Sequence, residues 1–304
     1  MKISAVINTK NAAQTIKTAL TSVKWCDQIV VVDMQSTDKT LEIVKKYTDQ
    51  VFTTKDAGYV EPARNLAISK AQHDWVLLID ADEELPVSLK KHLQALMDKP
   101  ALDLVAGYYL PRQNIIFNKT MKGTGWWPDY QLRFFQKDQV FWPKTIHAEP
   151  KITGEVKYLP AKPAYALIHH HYQTIEQYLK RLDRYTSLEA QGIKAVNKPV
   201  KLNEAEFLQS FLAEFLQRLF AQQGLEEGMH GTGLALLQSM YQLVVKLKLW
   251  QDQGFKTQAN DPQAAVQVLQ QFQQDLNYWL ADWQLKQATG WQKLWLRIKR
   301  KYRL

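Results

Sequence analysis

Apolar and polar positions alternate in a regular way over the first hundred residues. Residues 3–7 form a short β-rich run, and residues 11–24 follow a helical period with Ile16, Leu20 and Val23 on one side. Residues 28–33, Gln-Ile-Val-Val-Val-Asp, are apolar without a break, as in strands buried on both faces. Ser36, Thr37 and Asp38 offer capping side chains for a helix reaching Tyr47. A third strand is expected at 51–53, and a helix with Pro62 in its first turn at 61–72. A fourth strand at 75–80 and a helix at 86–97 complete the series. This β-α-β-α order predicts an α/β fold with a mostly parallel sheet flanked by helices.

The texture changes after Pro100. Residues 104–172 are rich in aromatics, Gly and Pro, with strand-like pieces at 104–110 and 132–135. They read as the second half of the same sheet together with active-site loops. From Thr174 onward the chain reads as helical, and Asn260-Asp261-Pro262 opens a Gln-rich helix to about residue 288. Apolar Val266, Leu269, Phe272, Leu276, Trp279 and Leu280 keep that stretch from being disordered. The expected division is therefore a catalytic domain at 1–173 and a helical region at 174–304. Residues 207–250 carry apolar side chains on several faces, with glycines from Gly224 to Gly233 marking a break between helices. That segment reads as shallow embedding near a lipid-linked acceptor, as helix packing, or as a dimer surface.

Composition narrows the partners. The 304 residues are 46% hydrophobic and 23% charged, enough for a large core and too apolar for a disordered polymer. A net charge of +9 favours acidic partners: a phosphorylated small molecule, an anionic membrane or nucleic acid. Cys26 is the single cysteine, which excludes an intrachain disulfide and a multi-cysteine zinc site and suits a reducing, cytoplasmic setting. The start lacks the pattern of a signal peptide. The uncharged stretch 229–245 is interrupted by Gln, Ser, Thr, His and Gly and falls short of a membrane span, so a soluble or surface-bound chain is expected.

At the end of the fourth strand stand Asp80-Ala81-Asp82, followed by Glu83 and Glu84. In parallel α/β sheets ligands bind beyond the carboxyl ends of strands. Carboxylates crowded there repel one another, and a divalent cation with oxygen ligands relieves that repulsion and in turn holds a diphosphate. A solvated acidic turn at a helix start accounts for the same residues. Asp33 ends the second strand, Thr9 and Asn11 follow the first, and Arg64 sits on the helix after the third. Polar side chains at several neighbouring strand ends favour a nucleotide site over a chance acidic turn.

These residues fall into ordered motifs. Ile7-Asn8-Thr9-Lys10-Asn11, the run from Val32-Asp33 through Ser36-Thr37-Asp38 to Thr40, Ala63-Arg64-Asn65, and Leu78-Ile79-Asp80-Ala81-Asp82-Glu83 resemble family 2 glycosyltransferases of the GT-A fold. Gly125-Trp126-Trp127-Pro128-Asp129-Tyr130-Gln131-Leu132-Arg133-Phe134-Phe135, then Ile146-His147 and Leu167-Ile168-His169, resemble the lipopolysaccharide-core β-glucosyltransferase subgroup. The resemblance implies an inverting, metal-dependent transfer of a sugar from a nucleotide-sugar donor, a UDP-sugar favoured, to a cell-envelope glycan or lipid-linked acceptor. It implies that Asp33, Arg64, Thr9, Asn11, Asp80 and Arg133 bind the donor. It implies Mg2+ or Mn2+ held by Asp82, with Asp80 and a late His169. It assigns the general base to Asp129. The chain departs from the pattern at Met34-Gln35 and Lys39, where small residues are usual, and at Ala148 after His147. Glu149 is the alternate base for that reason.

Three further features stay open at this level. In His169-His170-His171 neighbouring side chains of a strand point to opposite faces, so only His169 and His171 share a side. Trp126, Trp127 and Trp142 suit sugar stacking or local core. In the tail 291–304, Trp291, Leu294, Trp295, Ile298 and Tyr302 share one helical face, with Lys293, Arg297, Lys299, Arg300, Lys301 and Arg303 around them. That pattern predicts an interfacial helix on anionic lipid at the inner face of the cell membrane. The C-terminal helices are the expected seat of any homo-oligomer. A phosphatase using Asp80 as nucleophile and Asp82 as acid/base is the competing enzyme. A basic nucleic-acid binder is the competing non-enzyme, although the cations gather in the tail and no nucleic-acid motif is present, so no nucleic-acid partner is expected.

Overall fold

The computed structural model of the chain describes residues 1–99, 105–143, 149–196, 202–256 and 261–303. The first hundred residues lay down β1 (Ile3–Thr9), α1 (Ile16–Ser22), β2 (Gln28–Asp33), α2 (Thr40–Val44), β3 (Val51–Thr53) and α3 (Glu61–Ser69). They end with β4 (Trp75–Asp80), β5 (Glu83–Glu84) and α4 (Val87–Met97). β3, β2, β1 and β4 lie side by side and run parallel. The uninterrupted apolar runs have the expected cause, since both faces of this sheet are covered. Ile3, Ala5 and Ile7 of β1 pack with Ile16 and Leu20 of α1 and Leu89 and Leu93 of α4. Val6 packs on the other side with Ala63, Ala67 and Ile68 of α3.

Two helices start later than their patterns suggest. Asn11 takes a left-handed φ of 47° and its N–H donates to Ser36 Oγ (2.8 Å), so residues 11–15 turn before α1 begins at Ile16. Just ahead of α2, Asp38 Oδ1 accepts from the Thr40 N–H at 3.0 Å, while its Oδ2 accepts from the Ala13 N–H at 3.1 Å. The loop between β2 and α2 is thereby stitched to the loop after β1.

The second half of the sheet is mixed. Its strands are β6 (Gly107–Ile116), β7 (Lys119–Thr120), β8 (Asp129–Gln136), β11 (Val156–Tyr158) and β12 (Leu167–His170), with β9 (Val140–Phe141) and β10 (Lys151–Ile152) forming a separate antiparallel pair. β8 enters antiparallel between β4 and β6, which sets Asp129 opposite Arg112. β12 lies parallel to β6 and antiparallel to β5, so His169 is level with both Asn114 and Glu83. This is the mixed α/β class that the pattern predicts, with β6 and β8 longer than the sequence suggests.

The chain divides into two compact units, one of residues 1–120 and 126–173, the other of residues 121–125 and 174–304. The second unit contains α5 (Ile175–Ala195), α6 (Glu204–Leu216), α7 (Met229–Asp252), α8 (Pro262–Gln287) and α9 (Trp291–Tyr302). Thr174, Asn203 and Asp261 cap α5, α6 and α8 by accepting backbone N–H bonds from Gln177, Glu206 and Ala264. Phe207 and Phe215 lie against buried clusters inside this unit, so these phenylalanines serve helix packing. The glycine-marked break is real but ends early, because α7 starts at Met229. A Cβ on Gly231 would lie 1.9 Å from the Gly224 carbonyl oxygen, a contact only glycine permits. Residues 121–125 belong here through Glu227, whose Oε1 accepts the Lys122 and Gly123 N–H groups, and through Arg218, which donates to the Thr124 carbonyl.

Candidate active site

Strand alternation gathers charge at one end of the sheet. On β6, Arg112 and Asn114 occupy the face that Tyr108, Leu110 and Ile116 otherwise fill with apolar side chains. On β8, Asp129 and Gln131 share one face, and Arg133 stands at the register shift between Leu132 and Phe134. Arg133 is 2% exposed; its Nη2 donates to Asp80 Oδ2 and, at 2.7 Å, to Glu83 Oε1. The same Glu83 oxygen accepts from Arg112 Nη1 at 3.0 Å, and Arg112 grips Asp129 Oδ2 through Nε (2.9 Å) and Nη2 (2.6 Å). Arg64 closes the other end, 3.1 Å from Asp80 Oδ1. A buried Glu83 is tolerable only because two guanidinium groups neutralise it.

This chain of ion pairs sets the protonation states. Burial works against ionising Asp80, but Arg133, Arg64 and Arg112 overcome it and hold the carboxyl below its ordinary range. Burial likewise opposes ionisation of Asp129, and the Arg112 charge with hydrogen bonds from Asn114, Gln131 and Arg112 outweighs it. Arg112 and Arg133 are pushed up despite burial, each by its carboxylate neighbours. Asp80, Asp129, Arg112 and Arg133 are therefore charged at neutral pH.

Asp82 leaves this network and faces the histidines. Its carbonyl accepts the His170 N–H at 2.9 Å, so the pairing of β5 with β12 folds β12 back over the acidic turn. The alternation expected of the triple histidine holds: His170 turns to Glu84 (3.4 Å), while His169 and His171 face one another with ring centroids 4.3 Å apart. His169 Nε2 is 3.5 Å from Asp82 Oδ2, and the three ligand atoms of Asp82, His169 and His171 all lie within 4.8 Å of one another. One carboxylate oxygen and two imidazole nitrogens on one side are a donor set that fits a divalent transition cation such as Mn2+.

Beside them the ends of β1, β2 and α3 form a second polar corner. Thr9 is level with Asp33 and Asn8 with Asp80, and the Asn8 amide donates to the Ala63 carbonyl at 3.1 Å. Asp33 Oδ2 accepts the Ser36 N–H at 2.9 Å. Gln35 takes a φ of 60°, an uncommon conformation for a residue with a Cβ, and Lys10 Nζ donates to its carbonyl at 2.6 Å. Among the described residues, no protein group bonds the buried Asn8 Oδ1, Thr9 Oγ1, Asp33 Oδ1 or Arg64 Nη1. Buried polar atoms are rarely left so, and a ligand offering complementary groups would satisfy them.

Comparison with known proteins gives the family. The family described as "Glycosyl transferase family 2" matches residues 4–151. An uncharacterized glycosyltransferase of Rickettsia prowazekii is 30% identical over 231 residues, covering 72% of this chain and 76% of the relative. The chain belongs to glycosyl transferase family 2. The poly(ribitol-phosphate) β-N-acetylglucosaminyltransferase TarS of Staphylococcus aureus is 32% identical over 117 residues, 34% of this chain and 20% of that protein. The crystal structure of the mannosyltransferase PcManGT from Pyrobaculum calidifontis, in complex with GDP-Man and Mn2+, superimposes with a TM-score of 0.45 at 15% identity, covering 99% of this chain and 87% of that one.

For a family 2 glycosyltransferase, the expected site residues divide by position. Thr9, Asp33 and Arg64 come together at the second corner with bonding capacity to spare. Asn11 stands at its edge, where its Oδ1 accepts the Thr37 N–H at 2.7 Å and holds the loop. Asp80 is bonded by Arg64 and Arg133, and the side chains that gather as a group able to hold a cation are Asp82, His169 and His171. Arg133, expected to touch the donor, is buried and bonded to Asp80 and Glu83. Trp142 is 5% exposed and packs against Phe135, so it is core and not a stacking surface; Trp126 and Trp127 are half-buried. Glu149 is exposed, and the expected His147, together with Ile146 and Ala148, lies outside the described residues. Arg112 and Asn114 are the site residues that reading by motif passed over, and Glu83 was read within the motif but given no role of its own. Their signal was polar residues on a strand face that is otherwise apolar. The phosphatase reading falls with the family, and Asp80 between two guanidinium groups is a poor nucleophile.

Proposed function

We propose that the chain transfers a sugar with inversion from a nucleoside-diphosphate donor, a UDP-sugar, to a hydroxyl of a cell-envelope glycan or lipid-linked acceptor. The observation that carries the donor is the second corner, where Asp33 Oδ1 and Arg64 Nη1 are buried without protein partners. An acceptor oxygen near a guanidinium donor suits a base edge presenting N–H beside C=O, as uracil does. Asp82, His169 and His171 would hold Mg2+ or Mn2+. Bound there, the cation supplies positive charge against the diphosphate as it leaves.

Asp129 is the proposed base. As the acceptor oxygen bonds to the anomeric carbon and the bond to the diphosphate breaks, the acceptor proton passes to the Asp129 carboxylate. Arg112 keeps that carboxylate ionised at neutral pH, the form a base requires, while lowering its basicity. Glu149 is exposed and has no place in the bonded chain from Arg64 to His169. The name of the TarS relative, which acts on poly(ribitol-phosphate), supports an acceptor of the cell envelope.

The tail helix supports work at an anionic membrane surface. Leu296 is buried, and Arg300 and Arg303 pair with Asp282 and Asp275 of α8. The opposite side exposes Trp291 (87%), Leu294, Trp295, Ile298 and Tyr302, with Lys299 Nζ 3.9 Å from the Trp295 ring centroid. Tryptophan among cations is the chemistry of a lipid headgroup layer. Among the described residues no helix is long and apolar enough to cross a membrane.

A thermal-shift panel of UDP-, GDP- and TDP-sugars, each with and without Mn2+, tests the donor. UDP-sugars with Mn2+ should raise the melting temperature most. No shift with any nucleotide sugar would sink the proposal.

A further inference from the structure

Asn114 is fully buried and touches three groups that do different work. Its Nδ2 lies 2.9 Å from Asp129 Oδ2 and 3.1 Å from the Trp126 carbonyl oxygen, and its Oδ1 lies 2.6 Å from His169 Nδ1. An ionised carboxylate and a carbonyl are acceptors only, so the amide must turn its NH2 toward both. That leaves its oxygen for His169. An oxygen that only accepts needs a hydrogen on Nδ1, and a neutral imidazole carries only one N–H. The lone pair is then on Nε2, the nitrogen 3.5 Å from Asp82 Oδ2 and 3.1 Å from His171 Nδ1.

We infer that Asn114 is a positioning residue that locks His169 into the Nδ1–H tautomer, presenting the Nε2 lone pair to the cation group, while the same amide clamps the Asp129 carboxylate. One side chain thus fixes the geometry of the cation site and of the base together. Strand register explains how: β6 sets Asn114 level with His169 of β12, and its neighbour Arg112 level with Asp129 of β8. Partners of this kind, behind the ligands themselves, orient metal-binding histidines and raise affinity about 10–100-fold. The inference rests on the cation reading of Asp82, His169 and His171, and the tautomer can be read without any cation.

Long-range 15N NMR of the metal-free protein above the imidazole titration range shows which His169 nitrogen carries hydrogen, with the signal assigned against His169→Gln. The wild type should show hydrogen on Nδ1. Asn114→Leu should move it toward Nε2 and weaken Mn2+ binding, followed by electron paramagnetic resonance of the free ion, about 10–100-fold. Asn114→Asp retains an acceptor for Nδ1–H and should retain the tautomer. Hydrogen on Nε2 in the wild type overturns the inference without recourse to any variant. So does an Asn114→Leu protein with both tautomer and Mn2+ affinity unchanged. A wild type that shows Nδ1–H but binds no Mn2+ would remove the cation reading and leave the Asn114 assignment standing.

Discussion

Two neighbouring corners of the sheet are built on opposite principles. At the end of β4, β6 and β8, the guanidinium groups of Arg64, Arg112 and Arg133 meet the carboxylates of Asp80, Glu83 and Asp129, and apart from Arg133 Nε and Arg64 Nη1, which lies on the side of the second corner, the buried side-chain polar atoms find partners inside the protein. At the end of β1 and β2, Asn8 Oδ1, Thr9 Oγ1 and Asp33 Oδ1 are buried without partners among the described residues. The first corner is complete in itself and holds a fixed electrostatic frame. The second has unspent bonding capacity, the mark of a place finished by a ligand. Substitutions in the two corners should therefore fail in different ways.

The largest effect is expected where the frame meets the chemistry. Asp129→Asn should lower turnover about 10²–10⁴-fold, the value of a positioned base, with donor affinity retained. Near-normal turnover would move the base to Glu149. Next comes the frame itself. Glu83→Ala leaves Arg112 and Arg133 short of a buried counter-charge and should cost about 3–5 kcal/mol in urea unfolding. A loss below about 1 kcal/mol would mean that water enters the corner and screens these pairs.

Acid should loosen the closed corner with a defined sign. Asp80 and Asp129 have folded values held below the usual range, whereas in the unfolded chain an Asp titrates near about 3.9. Their stabilisation is thus complete above about pH 4 and is lost as pH falls from there toward the depressed folded values. The melting temperature should be insensitive to these groups between neutral pH and about pH 5 and drop below about pH 4, less steeply in Asp129→Asn. A drop centred between about pH 6 and 7 would point to histidines instead. The smallest effect belongs to the tail. Replacing exposed Trp291 and Trp295 with Ala should leave melting unchanged and reduce sedimentation with anionic vesicles; equal sedimentation would remove the membrane contact.

The open corner was legible in the sequence and the closed one was not. β1, β2 and β4 announce themselves as apolar runs, and the polar residues at their ends, Thr9, Asp33 and Asp80, fall where a parallel sheet binds ligands. The closed corner depends on pairings between distant segments: β8 reversed between β4 and β6, and β12 doubled back onto the two residues of β5. No local pattern encodes those. Asp80 read as a cation ligand and Arg133 as a donor contact, whereas the ion pairs of Asp80 with Arg64 and Arg133, and the burial of Arg133, arise between distant elements that no local pattern shows. Arg112 and Asn114 left one trace, the interruption of an apolar strand face. Helix starts erred for a local reason, since the loops after β1 and β2 bind one another before α1 and α2 begin.

Titration of UDP in the presence of Mn2+ into wild type and Asp33→Ala tests the open corner most directly. The account predicts saturable binding to the wild type and a loss of about 1.5–3 kcal/mol in the variant, the value of a hydrogen bond to a charged group. Equal affinity of the two proteins for UDP would contradict it.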